Sequence, residues 1–316
     1  MKQVQLQTPK YLYMGGKIRP WEEGVIHVGA EAVVRGLNVF EGVKGYWQQN
    51  GDFGIVLLEK HYQRLQHSAK LLHIPCPWTY EQYRDATCGL MATMVEPGRD
   101  MWARTTLLVT EGYWGIGTVA DLVITAYHQE QKIPDPIDLG LSTWQRPADV
   151  ALPARIKTST NYQAGRLARI EGRARGCSEM ILLNSQSRVG EASGACVLIV
   201  RDGTVITPTA AEGALESITL DAVEAIARSY GIPFVRRPVE RTELLIADEM
   251  ALCGTLCEVA LINSYEGQPL PADQPILGKL QAAYFDAVRQ VKPHPFITAV
   301  PVQPGGVEDV RRAVSA

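Results

Sequence analysis

Apolar residues recur along this chain with two different periods, and each change of period marks an element. Apolar residues on either side of Gly15-Gly16 (YLYMGGKIRP) predict two short strands joined by a tight turn. Val39 to Trp47 and Phe53 to Leu58 read as strands. Gln49-Asn50-Gly51-Asp52 turns one into the other, because Asn-Gly readily takes positive φ. From Glu59 to His73 the spacing becomes helical, with Tyr62, Leu65, Ala69 and Leu72 on one face and Pro75 closing the run. Tyr80 to Met94 predicts a second helix, and Trp102 to Thr110 and Ala120 to Tyr127 predict strands. Between those strands, Gly112 to Gly117 (GYWGIG) reads as a flexible loop with an exposed aromatic pair.

Residues 128–138 (HQEQKIPDPID) are polar with two prolines, which suits a linker. This reading gives a small N-terminal domain over 1–127 and a large domain over 139–316. Beyond the linker, Leu139 to Thr143 is a predicted strand and Asn161 to Arg175 a helix stopped at Gly176. Met180 to Asn184 and Cys196 to Val200 follow as strands, and Arg201-Asp202-Gly203 turns the latter into Thr204 to Thr207. Ser217 to Tyr230 is an amphipathic helix ending at Gly231, followed by strands at Glu249 to Cys253 and Ala260 to Ile262. Strands and helices mix without strict βαβ alternation, so the expected class is α+β.

Composition then excludes several function classes. A net charge of −3 offers no basic surface for nucleic acid or an anionic membrane. No run approaches the roughly 18 apolar residues of a membrane span. The start, MKQVQLQTPKYLYMGG, lacks the apolar core of a secretory signal. Six cysteines, several in apolar runs, fit reduced thiols in a cytoplasmic protein. No metal site is expected: Cys253 and Cys257 form C-x3-C without a nearby Cys or His pair, and the histidines are scattered. GYWGIG lacks both the spacing and the βαβ context of a dinucleotide site.

A few residues remain as candidates for chemistry. Lys157 sits between Ile156 and a Thr-Ser-Thr stretch just before a helix. A lysine alone is ordinarily a solvated surface residue, whereas a Schiff-base lysine must be partly desolvated to free its amine. Glu191, in SRVGEASGA, reads locally as a turn carboxylate. It also suits pairing with a heteroaromatic nitrogen, which would keep that ring protonated and electron-accepting. Two backbone sites suit a phosphate. One is the helix start Ser217-Ile218-Thr219, although Ser and Thr cap many helices; the other is Cys253-Gly254-Thr255 after a strand. Arg64 on the first long helix reads in isolation as a solvated face and could add a cationic contact.

The segments FEGVKGY, HYQRLQHSAKLL, IKTSTNY, VGEASGA, ALESITLDAV and LCGTLCEV occur in this order. Together they resemble the branched-chain aminotransferase family, fold type IV of the pyridoxal-phosphate enzymes, from about residue 10 to residue 285. The resemblance implies a small N-terminal α/β domain and a larger pseudo-barrel α/β domain. It implies that Lys157 forms the Schiff base with pyridoxal 5′-phosphate and shuttles the proton between Cα and C4′. Glu191 then pairs with the pyridine nitrogen and Tyr162 with the phenolic oxygen. Arg64, Ile218, Thr219, Gly254 and Thr255 hold the phosphate. Phe40, Gly42, Lys44, Trp102 and Arg104 fall in the substrate pocket. The implied activity moves an amino group from a branched-chain or other hydrophobic L-amino acid to 2-oxoglutarate, in a cytoplasmic homodimer or higher homo-oligomer.

Four positions depart from the family pattern: Lys44 for an arginine, Trp102 for a tyrosine, Cys196 for an asparagine, and Glu216 for a proline or glycine. Lysine cannot reproduce arginine's fork on a carboxylate. These changes keep aromatic donors open. Two alternatives within the same fold also stay open, an aminodeoxychorismate lyase and a D-amino-acid or (R)-amine transaminase. The tail from His294 to Ala316 lies beyond the matched region.

Overall fold

The structure, a computed structural model, describes residues 7–305. The outer ends of the two domains as read from sequence, 1–6 and 306–316, lie outside the described residues. The chain forms two compact units. Among the described residues, one gathers 7–131, 156–160 and 288–305; the other gathers 132–155 and 161–287.

The first unit contains β1 (Tyr11–Met14), β2 (Lys17–Pro20), α1 (Glu31–Val34), β3 (Asn38–Trp47), β4 (Phe53–Val56), α2 (Leu58–Leu71), α3 (Tyr80–Ala92), β5 (Asp100–Tyr113) and β6 (Ile116–Gln129). Its seven strands form an antiparallel sheet in the order β16-β4-β3-β5-β6-β1-β2, with β16 (Ala299–Val302) supplied from late in the chain. Val39, Val43, Met101, Ala103, Leu107 and Ile124 are buried in one cluster with Leu58, Leu65, Leu90 and Met91 from α2 and α3. Strand β3 is buried at nine of its ten positions, so both of its faces do work that alternation alone does not describe.

Strands β5 and β6 run longer than the sequence reading, and two turns differ from it. The strand expected through Leu58 stops at Val56, because Leu57 turns left-handed (φ 54°) and starts α2. GYWGIG is not a flexible loop. β5 and β6 run on to pair Tyr113 with Ile116, and Trp114-Gly115 alone join them, both with positive φ (51° and 84°). That geometry matches the right-handed twist of a hairpin. The aromatic pair at its tip is exposed, and the Arg35 guanidinium lies over both rings, 5.4 Å from Tyr113 and 5.1 Å from Trp114.

The second unit contains β7 (Ile137–Gln145), α4 (Gln163–Ala174), β8 (Glu179–Leu183), β9 (Val189–Ala192), β10 (Cys196–Arg201), β11 (Thr204–Thr207), α5 (Ile218–Ser229), β12 (Phe234–Arg236), β13 (Glu249–Gly254), β14 (Glu258–Tyr265) and β15 (Gln268–Pro269); α6 (Pro275–Val288) follows. Its sheet runs β12-β11-β10-β13-β14-β7-β8-β9, with β15 beside β14. The pairs β11–β12, β14–β7 and β7–β8 are parallel and the rest antiparallel. Helix and strand thus mix in both units, which is the expected α+β class, and the mixed sheet explains why no βαβ rhythm is visible in the sequence.

All six cysteines are free. Burial pushes the thiols of Cys76 to about 11 and of Cys88 and Cys257 to about 12. Among the described residues no helix is long and apolar enough to cross a membrane.

Candidate active site

The structure groups the candidate residues in two sets, one on each unit. In the first unit Lys157 lies along the edge of β3. Its carbonyl accepts from the Phe40 amide (2.9 Å), and its own amide donates to Ser68 Oγ on α2 (3.1 Å). The half-buried side chain carries Nζ to 5.0 Å from the centre of the Phe40 ring. The Arg104 guanidinium is 3.7 Å from the same centroid and donates to Ser159 Oγ (3.0 Å). Ser159 in turn donates to Asn38 Oδ1 (2.8 Å). The segment after Lys157 is therefore stitched to β5 by Arg104, which the sequence reading named, and to β3 by Asn38, which it did not.

Residues of even number on β3 share one face, and their β5 partners extend it: Gly42 pairs with Arg104 and Lys44 with Trp102. Trp102 stacks on Tyr127 (5.8 Å between centroids, 27°), which meets Trp21 edge-on. Lys44 is buried with Nζ 5.3 Å from the Tyr46 ring centre. A Cβ on Gly42 would lie 2.9 Å from Trp102 Nε1, so glycine here makes room for the indole.

The opposite face of β3 carries a buried ion cluster. Glu41 is fully buried and binds Arg64 of α2 through Nε and Nη2, both at 2.7 Å, and His61 through Nδ1 at 2.8 Å. Arg64 is thus not a solvated helix residue; its fork is held by Glu41. Burial by itself pushes the Glu41 carboxyl up, but the charge and hydrogen bonds of Arg64 and His61 outweigh it and bring it down to about 2. Burial holds His61 below its ordinary value despite Glu41, and the Arg64 and Lys157 charges add to that.

Both depressed groups have the same sign of effect on stability. Their contribution is present above their ordinary values and is lost as pH falls, through His61 first and then for Glu41 between 4.5 and about 2. The Glu41 part is on the order of 3 kcal/mol. Glu41→Gln is expected to lower stability near neutral pH by about 3 kcal/mol, because Arg64 stays buried without its counter-charge. It is also expected to flatten the acid limb. Urea unfolding at pH 5 and pH 3 checks this, and an unchanged pH dependence would remove Glu41 as its source.

In the second unit Glu191, on β9, is buried and held on both oxygens. Oε1 receives Arg146 Nη2 (3.0 Å) and Oε2 receives the Leu215 amide (3.0 Å). Arg146 is buried and anchored by Gly213 O (3.0 Å) and Asn161 O (3.1 Å). Beyond these two contacts the lone pairs of the carboxylate leave room for a further donor. Glu191 is thus a buried carboxylate and not a turn residue.

Ser217 caps α5 by accepting from the Leu220 amide (3.2 Å). Ile218 and Thr219 are buried, and their first-turn amides have no carbonyl of their own helix to bond. Gly254 ends β13, against which α5 packs, and pairs with Glu258 across the turn that holds Thr255. Tyr162 stands at the start of α4. Glu216 points its carboxylate at Arg155 Nε (3.1 Å), which accounts for an acid beside this helix start. Cys196 reaches Leu215 O (3.7 Å) and lies opposite Cys253 in register.

Arg146, Glu41, His61, Ser159 and Tyr127 escape a sequence reading. Each has a local pattern like any strand or helix residue, and its partner lies far away in the chain.

The sequence pattern of the amino-transferase class IV family matches residues 38–265. A Synechocystis protein named "Probable branched-chain-amino-acid aminotransferase" is 32% identical over 278 residues, 85% of this chain and 90% of its own. The branched-chain-amino-acid aminotransferase of Escherichia coli K12 is 27% identical over 87% of this chain and 92% of its own. Among solved structures, the branched-chain aminotransferase of Thermobaculum terrenum in its pyridoxal-phosphate form superposes with a TM-score of 0.84 at 32% identity, covering 92% of this chain and 98% of that one. The Thermoproteus uzoniensis enzyme with norvaline gives 0.85 at 29%, covering 92% and 99%.

Proposed function

Because the chain belongs to the amino-transferase class IV family and is a pyridoxal-phosphate-dependent aminotransferase, we propose that it moves amino groups from leucine, isoleucine or valine to 2-oxoglutarate. The observation that carries this substrate reading is the even-numbered face of β3. It sets the aromatic surfaces of Phe40, Trp102 and Tyr127 beside two cations, Lys44 and Arg104. An apolar side chain suits the rings, and the carboxylates of amino and 2-oxo acids suit the cations.

The residues fit the cofactor. Buried first-turn amides are what a phosphate satisfies, and Ile218 and Thr219 supply them. Gly254, Thr255 and Arg64 complete the phosphate contacts in this reading. Tyr162 donates to the phenolic oxygen. Glu191, oriented by Arg146, accepts from the ring N–H. When bound, pyridoxal phosphate supplies an electron sink that stabilises negative charge at the substrate Cα. Lys157 holds the cofactor covalently between turnovers. Its Nζ would be the base that takes the substrate Cα proton and gives it back, so one base on one face would perform both transfers. The Phe40 and Ser68 bonds to the Lys157 backbone keep that base in place while its side chain moves.

The proposal extends to a cytoplasmic homodimer. Free thiols fit a reducing compartment, and the exposed Val33, Val34, Tyr113, Trp114 and Ile116 are apolar surface of the kind a second copy covers. Light scattering should give twice the 34.8 kDa chain mass.

A panel of leucine, isoleucine, valine, phenylalanine and (R)-1-phenylethylamine with 2-oxoglutarate tests the substrate reading. Turnover of the three branched donors is expected. Activity confined to phenylalanine or to the amine, or release of pyruvate from aminodeoxychorismate, would overturn it. Gly42→Ala should displace the Trp102 indole and raise the KM for leucine about tenfold, with cofactor retention unchanged. An unaltered KM would take Trp102 out of the pocket.

A further inference from the structure

The second unit has a cavity that no step above uses. Arg166, Arg169 and Arg173 of α4 line it, with Tyr162, Gly165 and Ser193 among its other walls, and its volume is about 290 Å³. Residues three and four apart face the same side of a helix, so the three arginines share one face of α4 and line one cavity. No carboxylate lines it. A second cavity of the same unit has carboxylates in its wall: there Arg237 pairs with Glu243, and Asp202 stands beside Arg201.

The arginines differ in their partners. Arg169 is fixed, donating to Glu179 Oε2 (2.7 Å) and Ser193 Oγ (2.6 Å). Arg166 and Arg173 have no ion-pair partner among the described residues, whereas Arg146, Arg155, Arg175, Arg188, Arg228, Arg236 and Arg237 of the same unit each have one. The backbone beneath is rigid. A Cβ on Gly165 would lie 2.4 Å from Ser193 O, so α4 packs directly on the Ser193 backbone. Like charges on one helix face repel, and a bound anion relieves that repulsion.

We propose that this cavity binds a small, multiply charged oxyanion, a phosphate compound or a dicarboxylate. Guanidinium forks recognise the paired oxygens of both. The volume sits at the low end of ligand pockets, which limits the ligand to the size of pyrophosphate or a C4 diacid. The site is separate from the cofactor's phosphate contacts: of the residues assigned to the cofactor, only Tyr162 lines it.

Isothermal titration calorimetry of the holoenzyme tests this, with the cofactor's own phosphate contacts filled. Pyrophosphate and succinate are titrated separately at low salt. At least one should bind, more weakly as salt rises. Arg166→Ser with Arg173→Ser should weaken binding at least about tenfold, while Arg201→Ser, at the end of β10 and outside the cavity, should not. Arg166→Lys with Arg173→Lys keeps the charge and loses the fork; it should still weaken binding severalfold, which covers the case of a poorly folded serine variant. Binding of pyrophosphate alone assigns the phosphate class, and of succinate alone the dicarboxylate class. No binding of either up to about 10 mM, or binding that the double variants leave unchanged, overturns the proposal. So does a double variant that alters subunit mass without any anion binding, since the arginines would then serve a subunit contact.

Discussion

Lys157→Ala should yield a folded protein that no longer transfers amino groups, with turnover down at least about 10⁴-fold. The fold is expected to survive because Lys157 is tied to β3 and α2 through its backbone, by the Phe40 amide and Ser68 Oγ. The side chain's loss removes the Nζ contact with the Phe40 ring and leaves these backbone ties in place. The loss should be chemical: borohydride treatment of the wild type should fix the cofactor to the peptide containing Lys157, and of the variant should fix none. Normal turnover by the alanine variant would end the assignment. A variant that fails to fold would show it by circular dichroism, and reductive labelling of Lys157 in the wild type still decides the point.

Glu191→Gln should have the second largest effect. The glutamine can still accept from the Leu215 amide, so the β9 backbone is expected to stay in place. It has no charge to hold a ring N–H protonated, and the rate should fall about 10²–10³-fold while cofactor is retained. A stability change should accompany it. Arg146 is buried, and Glu191 is its ion-pair partner. Removing one member of such a pair costs about 3–5 kcal/mol, moderated here by the carbonyls of Gly213 and Asn161. Kinetics and thermal unfolding on one preparation separate the two effects. A variant with wild-type kcat would show that Glu191 serves Arg146 alone.

The candidate site was legible to an uneven degree. Lys157, Glu191, Thr219 and Thr255 stand in short segments whose order along the chain carries a family pattern, so they could be named from sequence. The carboxylate that holds Arg64 could not. Glu41 and Arg64 are 23 residues apart on different elements, and Arg64 sits on a helix whose charged residues read as solvent-facing. Its burial depends on how α2 lies on β3. Arg146 is a similar case: it follows β7 in a polar stretch, and nothing nearby announces that it reaches Glu191.

Hydrophobic period, turn residues and helix stops determined the elements of this protein from sequence alone, because they act within a few residues of backbone. They produced the β1–β2 and β3–β4 hairpins, the helices α2, α3, α4 and α5 within a few residues of their ends, though not α6, and the mixture of both element types that makes the class α+β. Pairing decided the rest. Residues 156–160 and 288–305 join the unit built by the N-terminal part of the chain, and β16 completes that unit's sheet beside β4. The GYWGIG segment became a hairpin tip only because β5 and β6 keep pairing up to it. Which charges are buried, and against what, follows from contacts between distant segments, and a local pattern holds no information about them.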